Sequence, residues 1–398
     1  MSNTARTQRK GTFGNGSKRR ASWTVTPLVV GIVVMIGFGL FNYDAAFDAS
    51  RGVENTLLHL ARVDTASAIA SFTSTSSSPY PGWDPANPLG IPQGQAPNLP
   101  SIRDSTSNAK RANYGGQGDK PHLGGFTEFD IQGLSPHVWK HMIQDYGVHS
   151  VLDVGCGRGI STSWFHMHGV QVLCVEGSYD AVQNSVLPDP ANQVVEHDFS
   201  RGPWWPRDTF DAVWAVEFLE HVNVQYHFNY IAAMRKAALL FVSSSRWGGW
   251  HHVEVHQDDW WIRKYELYGF RYDDTLTQQV REWATEESRD VNATTAPNGK
   301  PWNAQHVWLS MKVFVNPAVA ALPAHAHLFP ENGCFQGRGE GGRIHNRECG
   351  TGKDAALETK LDPAMYPLTL DPSMDTAWTT HIQRHLAKSQ SIQSSQAQ

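Results

Sequence analysis

The sequence has no excess of positive charge, few cysteines and no internal repeat. Its 398 residues carry a net charge of −5 at neutral pH, the isoelectric point is near 6.4, and charged residues make up 18%. Because there is no basic stripe, we do not expect the chain to bind a nucleic acid. Hydrophobic residues make up 40%, which is enough for one sizeable core, and the long low-complexity stretches argue against a second.

The only long hydrophobic run lies near the N-terminus, at residues 23–43. About 20 such residues span a bilayer core. Residues 1–22 contain six Lys or Arg and no acidic residue, so this end should stay cytoplasmic. We therefore expect a single-pass type II membrane protein of the secretory pathway (Golgi or ER) with a luminal catalytic domain. The alternative is a cleaved signal peptide, for which Ala45-Ala46 offers a faint cleavage site.

Composition divides the rest of the chain into three parts. Residues 44–123 are rich in Ser, Pro and Gly and predict an extended stem. Residues 124–318 carry the periodic segments of a folded domain, and residues 319–398 form a low-complexity tail in which only 373–386 could be ordered.

The four cysteines fall into two pairs. Cys156 lies inside the glycine-rich turn and Cys174 inside the second strand, and both are predicted to be buried free thiols. Cys334 and Cys349 flank a loop in the tail; in an oxidising lumen a bridge between them would contribute on the order of 3 kcal/mol, and the alternative is two unpaired thiols. Asn292 begins a glycosylation sequon that would suit a luminal loop.

Strand-like and helix-like segments alternate through the domain, which predicts an α/β fold with a doubly wound, Rossmann-like sheet of seven strands. A helix that begins at Ser135-Pro136 precedes the first strand, and a helix over 275–288 forms an insertion before the last. His306 to Val315 alternates enough to be that closing strand. Six of these strands are located in the sequence, at 151–154, 171–176, 193–197, 210–216, 238–242 and 306–315.

A glycine-rich turn follows the first strand, with the spacing G-x-G-x-G from Gly155. Glycine lets the backbone approach a ligand closely, and Asp153 just before it can accept hydrogen bonds from an ammonium or hydroxyl group. Glu176 ends the second strand about 20 residues later, where a carboxylate can bind a ribose diol. Each carboxylate taken alone could instead cap a helix or end a strand in solvent.

Together these segments resemble motif I and the following motifs of the class I S-adenosylmethionine (SAM) dependent methyltransferases. The resemblance implies SAM as cofactor, with Asp198 on the adenine amino group and Phe199 packed on its ring. The implied SAM-binding residues are Asp153, Gly155, Gly157, Glu176, Asp198 and Phe199.

A second constellation follows the fourth strand, in the sequence Glu217-x-x-Glu220-His221. Two carboxylates and an imidazole make half a ligand shell for Mg²⁺ or Mn²⁺, and His252 or His256 could complete it. We favour His256, which lies two residues from Glu254 and would point outward from an extended loop. The pattern resembles the metal set of small-RNA 2′-O-methyltransferases and ubiquinone-biosynthesis O-methyltransferases. Alternatively, the Glu and His orient substrate or cap a helix.

Either arrangement favours methyl transfer to oxygen. A metal would lower the pKa of an acceptor hydroxyl; without one, His252 or His221 would be the catalytic base. N-methylation of an amine stays open, whereas the absence of an Asn-Pro-Pro-Tyr segment argues against an amide or nucleobase target.

Tryptophan is abundant near the predicted site, and indole faces stack on pyranose rings. We expect Trp204 and Trp205 to contact ligand and Trp261 to pack in the core. A small hydroxylated acceptor, most simply a saccharide, is the expected partner. The alternatives are a catalytically inactive SAM-fold scaffold, and an enzyme for lipid or quinone head groups, against which the stem argues.

Overall fold

The computed structural model describes residues 90–102, 123, 128–289, 295–328, 335–338, 344–345 and 368–396. The segment 23–43, Asn292, Cys334 and Cys349 lie outside these ranges. Among the helices that are described, none is both long and apolar enough to cross a membrane.

Ten helices and nine strands lie in these ranges. The helices are α1 (Pro136–Gln144), α2 (Ile160–Met167), α3 (Tyr179–Gln183), α4 (Pro190–Gln193), α5 (His227–Met234), α6 (Asp258–Leu267), α7 (Asp274–Arg289), α8 (Gln305–Ser310), α9 (Pro317–Ala320) and α10 (Ser373–Gln396). The strands are β1 (Ser150–Val154), β2 (Gln171–Glu176), β3 (Val194–Glu196), β4 (Phe210–Ala215), β5 (Ala237–Val242), β6 (Arg271–Tyr272), β7 (Lys312–Val315), β8 (Phe335–Arg338) and β9 (Ile344–His345). Short 3₁₀ turns occur at Leu219–His221, Val224–Tyr226 and Pro323–His325.

Seven strands form one sheet in the order β3-β2-β1-β4-β5-β7-β6, which confirms the predicted Rossmann-like architecture. The first five are parallel, whereas β7 runs antiparallel to both β5 and β6. Sequence analysis missed β6, since two residues carry no periodic signal. The strand order reverses between β1 and β4, and ligands bind at such a point beyond the carboxyl ends of the strands.

Apolar side chains cover both faces of the sheet. Every residue of β4 and β5 is buried, as their continuous hydrophobic runs require. On one face Trp139 of α1 packs against Trp164 and Trp214, with ring centroids 5.3 and 5.9 Å apart. This packing fixes α2, the helix that follows the glycine turn, beside α1 and β4.

The predicted closing strand 306–315 is wrong in its first half. Only Lys312–Val315 pairs with β5, and residues 305–310 form α8. The Ala304 and His306 amides donate to the carbonyls of Ile131 and Gln132, at 3.0 and 2.9 Å. These bonds tie the segment to the loop before α1, so the chain turns as a helix before it enters the sheet.

Two segments outside 124–318 also pack on the domain. Residues 90–102, which the sequence assigned to the stem, form a strap along the loop after β3; the Leu99 carbonyl accepts from the Asp198 amide at 3.0 Å. At the other end α10 is longer than the ordered segment predicted in the tail, and it docks on α2. Its Trp378 is 1% exposed and donates to Ser163 Oγ at 3.0 Å.

Candidate active site and donor pocket

A cavity of about 900 Å³ opens beyond the carboxyl ends of the parallel strands. The glycine turn, the ends of β2 and β4, the loop after β3 and the loop that follows β5 all contribute to its wall. It contains every residue that the sequence assigned to SAM, which are Asp153, Gly155, Gly157, Glu176, Asp198 and Phe199.

The turn after β1 needs glycine for two reasons. Gly155 and Gly157 both have positive φ, 73° and 55°, which L side chains rarely adopt. A Cβ on Gly155 would also overlap the ring of Phe218. Phe218 therefore packs directly against the turn, in the space that a side chain at position 155 would fill.

Asp153 lies at the floor of this turn and is only 2% exposed, so the sequence understated its burial. Its Oδ2 atom accepts hydrogen bonds from the hydroxyls of Ser161 and Thr162, both at 2.6 Å. Burial raises the pKa of Asp153 to about 6, although the two hydroxyl hydrogen bonds oppose it. A cationic group bound beside this carboxylate would relieve the cost of burying it.

Glu176 holds the turn from the neighbouring strand. Its two oxygens accept from the amides of Gly157 and Ser178, at 2.7 and 2.8 Å. The carboxylate is thereby fixed in one orientation at the cavity wall, where a ribose diol could reach it. The carboxylates of Asp153, Glu176 and Asp198 supply hydrogen-bond acceptors for SAM, and the cavity beside the glycine turn has room for it.

Asp198 and Phe199 follow β3, and the strap supports them. His197 accepts from the Leu99 amide at Nδ1 (2.9 Å) and donates from Nε2 to the Gly202 carbonyl (2.9 Å). Phe199 meets Phe218 edge to face, with centroids 5.9 Å apart. The loop that would hold an adenine ring is therefore braced by a segment almost 100 residues earlier.

Cys156 and Cys174 are joined by a disulfide, which corrects the prediction of two free thiols. The register explains their proximity, because Asp153 is paired with Cys174 across β1 and β2 and Cys156 follows shortly after. Their Cα atoms are 5.8 Å apart.

Glu220, His221 and His252 form the metal-compatible cluster of the described residues, with one ligand atom from each within 4.8 Å of the others. The Glu220 carbonyl accepts from the amides of Val253 and Glu254, at 2.7 and 3.0 Å. These two bonds bring the loop after β5 onto the 3₁₀ turn that carries Glu220 and His221.

The hydrogen bonds of the two imidazoles leave the same atom available on each. His221 Nδ1 donates to the His251 carbonyl at 3.1 Å, and His252 Nδ1 donates to the Trp247 carbonyl at 2.8 Å. In the neutral form of each ring Nε2 is then the nitrogen without a proton, the one that binds a metal or accepts a proton. Burial lowers the pKa of His221 to about 4, so this ring is neutral near pH 7.

Glu220 is fully buried, and neither of its oxygens has a hydrogen-bond partner. Burial and the adjacent Glu217 carboxylate raise its pKa well above the ordinary value. A buried carboxylate in this condition is what a divalent cation would satisfy, so the donor set fits such an ion.

The structure does not bring His256 to this cluster. Its Nε2 pairs with Glu254 at 2.9 Å, and its ring stacks on Trp260 at 3.6 Å. His252 occupies the place expected for it. Gly249 permits this, because a Cβ there would come within 2.5 Å of His252 Cε1.

Glu217 lies between the cluster and a second histidine. Its backbone has φ 51°, a strained value for a non-glycine residue. Its Oε2 is 3.5 Å from His306 Nδ1, and His306 Nε2 is 3.5 Å from Asp130 Oδ2. Sequence analysis missed Asp130 and His306 as site residues because α8, which positions His306, was predicted as a strand.

The structure contradicts the prediction for Trp204 and Trp205 and confirms the one for Trp261. Trp204 and Trp205 are completely buried, and Trp204 Nε1 donates to Asn98 of the strap at 3.0 Å, so the predicted ligand contact is wrong. Trp261 is buried in the core as predicted. Trp250 lines the cavity, and Trp247 is 61% exposed beside it.

Residues 120–295 match a family model described as a methyltransferase domain. No curated protein matches the chain significantly.

Among solved structures, the chain is similar to a TehB-like SAM-dependent methyltransferase from Corynebacterium glutamicum (13% identity, 46% of this chain and 88% of that chain, TM-score 0.31). It is also similar to a SAM-dependent methyltransferase from Archaeoglobus fulgidus (17% identity, 44% and 88%, TM-score 0.28). A third is the magnesium protoporphyrin IX methyltransferase from Synechocystis, solved with bound SAM (13% identity, 45% and 72%, TM-score 0.27). The match of residues 120–295 to the methyltransferase family model, over a sheet whose carboxyl edge holds the motif residues, supports a class I SAM-dependent methyltransferase domain in this part of the chain.

Proposed function

We propose that this SAM-dependent methyltransferase acts on a hydroxyl oxygen of its acceptor. One observation carries the proposal: Glu220, His221 and His252 converge beside the donor pocket, with both imidazole Nε2 atoms free to act. A hydroxyl must lose a proton as it is methylated, and this cluster offers the means to remove it.

SAM supplies a methyl group already activated on a sulfonium. The chain's own task is to bind that donor and align the acceptor oxygen with it. Asp153 and Glu176 would bind polar parts of the donor, and Asp198 with Phe199 would hold the adenine.

A divalent ion, if bound, would be held by Glu220, His221 and His252, and it would lower the pKa of an acceptor hydroxyl. Glu217 lies next to Glu220 and could add a further oxygen ligand. Without an ion, Nε2 of His221 or His252 would accept the proton directly, as a general base.

The proposed acceptor is a saccharide in the lumen of the secretory pathway. Trp250 in the cavity wall and exposed Trp247 beside it provide flat faces for a pyranose ring. The Cys156–Cys174 disulfide supports an oxidising compartment, and the apolar run at 23–43 after a basic segment supports a type II anchor.

The test measures SAM and Mn²⁺ binding to the full-length protein by calorimetry, together with methyl transfer after chelation and metal add-back. Glu220→Gln should weaken Mn²⁺ binding by about tenfold or more and leave SAM affinity within about twofold, because a metal ligand is lost while the donor pocket stays intact.

Glu282→Gln, on the exposed side of α7, is the matched control and should change neither affinity. Absence of SAM binding would favour the scaffold alternative. SAM binding and full activity in chelator, with Glu220→Gln like wild type, would rule out the metal and leave a histidine base.

A further inference from the structure

We infer that the Cys156–Cys174 disulfide is a redox-modifiable site that controls the donor pocket: the oxidised protein binds SAM, and reduction by a dithiol weakens that binding. The inference rests on the SAM pocket of the proposed function and is independent of which acceptor is methylated. Three features support it: the place of Cys156 in the glycine turn, the fixed position of Cys174 in the sheet, and the unequal access of the two residues to a reductant.

Cys156 lies in the middle of the turn beside which SAM would bind. It lines the cavity between Gly155 and Gly157, and both of these glycines are hydrogen-bonded to β2. The Gly155 amide donates to the Val175 carbonyl at 2.9 Å, and the Gly157 amide donates to Glu176 Oε2 at 2.7 Å. The disulfide is therefore a third and covalent attachment of this turn to β2, at the residue between the other two.

Cys174, the other half of the disulfide, is held in the sheet. It lies in β2 between two parallel neighbours, where it is paired with Asp153 of β1 and with Val194 of β3, and it is only 1% exposed. Moving its backbone would break hydrogen bonds of both ladders. A rearrangement of the pair therefore falls on Cys156 and its turn, which lie at the cavity surface.

Reduction would change the shape of the donor pocket. Two sulfur atoms that are not bonded must lie about 1.5 Å further apart than two that are. Rotation of the Cys156 side chain would place its thiol at the cavity, and displacement of its backbone would shift Gly155 and Gly157. Phe218 already occupies the space beside Gly155, so the turn cannot yield in that direction. Both movements alter the wall against which SAM would bind.

The two sulfur atoms differ in their access to a reductant. Cys156 is half-buried at the cavity, whereas Cys174 is enclosed. A thiolate of the dithiol attacks Cys156 Sγ, the S–S bond breaks, and Cys174 leaves as a thiolate that takes up a proton. The second thiol of the reductant then attacks the mixed disulfide and releases Cys156. The dithiol becomes a disulfide, and the protein gains two electrons and two protons.

SAM binding and reduction of the disulfide are then thermodynamically linked. A ligand that binds the oxidised form more tightly stabilises that form by the same factor. We expect reduction to weaken SAM binding about tenfold, which is comparable to the loss of one hydrogen bond to a charged group. Saturating SAM should make the disulfide about tenfold harder to reduce, and for this two-electron couple that factor corresponds to about 30 mV.

The experiment equilibrates the full-length protein in buffers with graded ratios of reduced to oxidised dithiothreitol, with and without saturating SAM. Alkylation and peptide mass spectrometry report the redox state of the Cys156–Cys174 pair, and calorimetry measures SAM affinity at the two ends of the series. We expect weaker SAM binding at the reduced end. We also expect SAM to shift the midpoint of the titration toward more reducing buffers.

Cys174→Ala is the diagnostic variant, because it removes the disulfide and also makes room for the Cys156 thiol. It should bind SAM nearly as tightly as the oxidised wild type, and dithiothreitol should not change its affinity. The variant retains Cys334 and Cys349, so a sensitivity to dithiothreitol that persists in it would come from those residues and would overturn the inference.

The titration of the wild type needs no variant and gives an independent result. Equal SAM affinity of the oxidised and reduced protein, or a reduction midpoint that SAM does not move, would overturn the inference and leave the SAM pocket standing. Oxidised protein that binds no SAM would overturn the SAM pocket and, with it, the inference.

Discussion

Replacing Asp153 by asparagine should stabilise the protein without SAM and weaken its binding of SAM. Asp153 is buried at the floor of the donor pocket. Among the described side chains, only the hydroxyls of Ser161 and Thr162 donate hydrogen bonds to its carboxylate. Asparagine keeps the shape and one acceptor oxygen but carries no charge. The substitution therefore removes the energetic cost of burying the charge and also the contribution of the charge to SAM binding, so the two effects can be measured separately.

The magnitude follows from the pKa, which burial raises from 3.8 to about 6. One pH unit of displacement corresponds to about 1.4 kcal/mol, so ionised Asp153 lowers the free energy of unfolding by about 3 kcal/mol. Below pH 3.8 the carboxyl is protonated in both states and this cost is absent. The cost grows up to about pH 6 and is constant above it.

Weaker hydrogen bonds from Ser161 and Thr162 to an amide should offset about 1 kcal/mol of this gain. Asp153→Asn should thus raise the melting temperature by a few degrees at about pH 7.5 and by less at about pH 5. SAM affinity should fall by about tenfold to a hundredfold, because a charged hydrogen bond is lost.

The assay is thermal unfolding of wild type, Asp153→Asn and the surface control Asp259→Asn at both pH values without SAM, followed by calorimetry with SAM. Destabilisation of the same size at both pH values would refute the reasoning about buried charge. SAM affinity equal to wild type would refute the role of Asp153 in donor binding.

Two further predictions use matched pairs of substitutions. Gly155→Ala should abolish SAM binding measured by calorimetry, since the turn has positive φ and a Cβ would overlap Phe218, whereas Gly248→Ala, with open space around it, should bind SAM normally. Trp378→Ala should lower the free energy of unfolding in urea by about 3–5 kcal/mol, because a buried indole is lost, while Trp247→Ala at an exposed site should change it by under about 0.5 kcal/mol. A small loss of unfolding free energy in Trp378→Ala would mean that α10 contributes little to the stability of the fold. Loss of SAM binding in Gly248→Ala would mean that the effect of an added Cβ is not specific to the turn after β1.

The parts of the fold that sequence predicts well have local signals. Continuous apolar runs mark β4 and β5, and the glycine spacing marks the turn after β1. Each carboxylate of the donor pocket ends or follows a strand, so the topology alone brings Asp153, Glu176 and Asp198 to one edge.

The parts that sequence does not predict depend on contacts between distant segments. His252 replaces His256 because two amides of its loop bond to the Glu220 carbonyl, which no periodicity reveals. His306 reaches the cavity because α8 is tied to the loop before α1, where the His306 amide bonds to Gln132, 174 residues earlier in the chain. Trp204 is buried because Asn98 of the strap accepts from its indole.

The strap also determines how mechanical load would enter the molecule. Leu99 bonds to His197 and Asp198, and Lys236 donates to the Pro92 carbonyl at 2.9 Å. A pull on the chain N-terminal to the strap would load these bonds one after another, from Lys236 just before β5 to the loop that carries Asp198. Peeling the strap would remove the brace of the adenine loop while β1 and β4 stay paired, so tension on the N-terminal side would release the donor before it unfolded the domain.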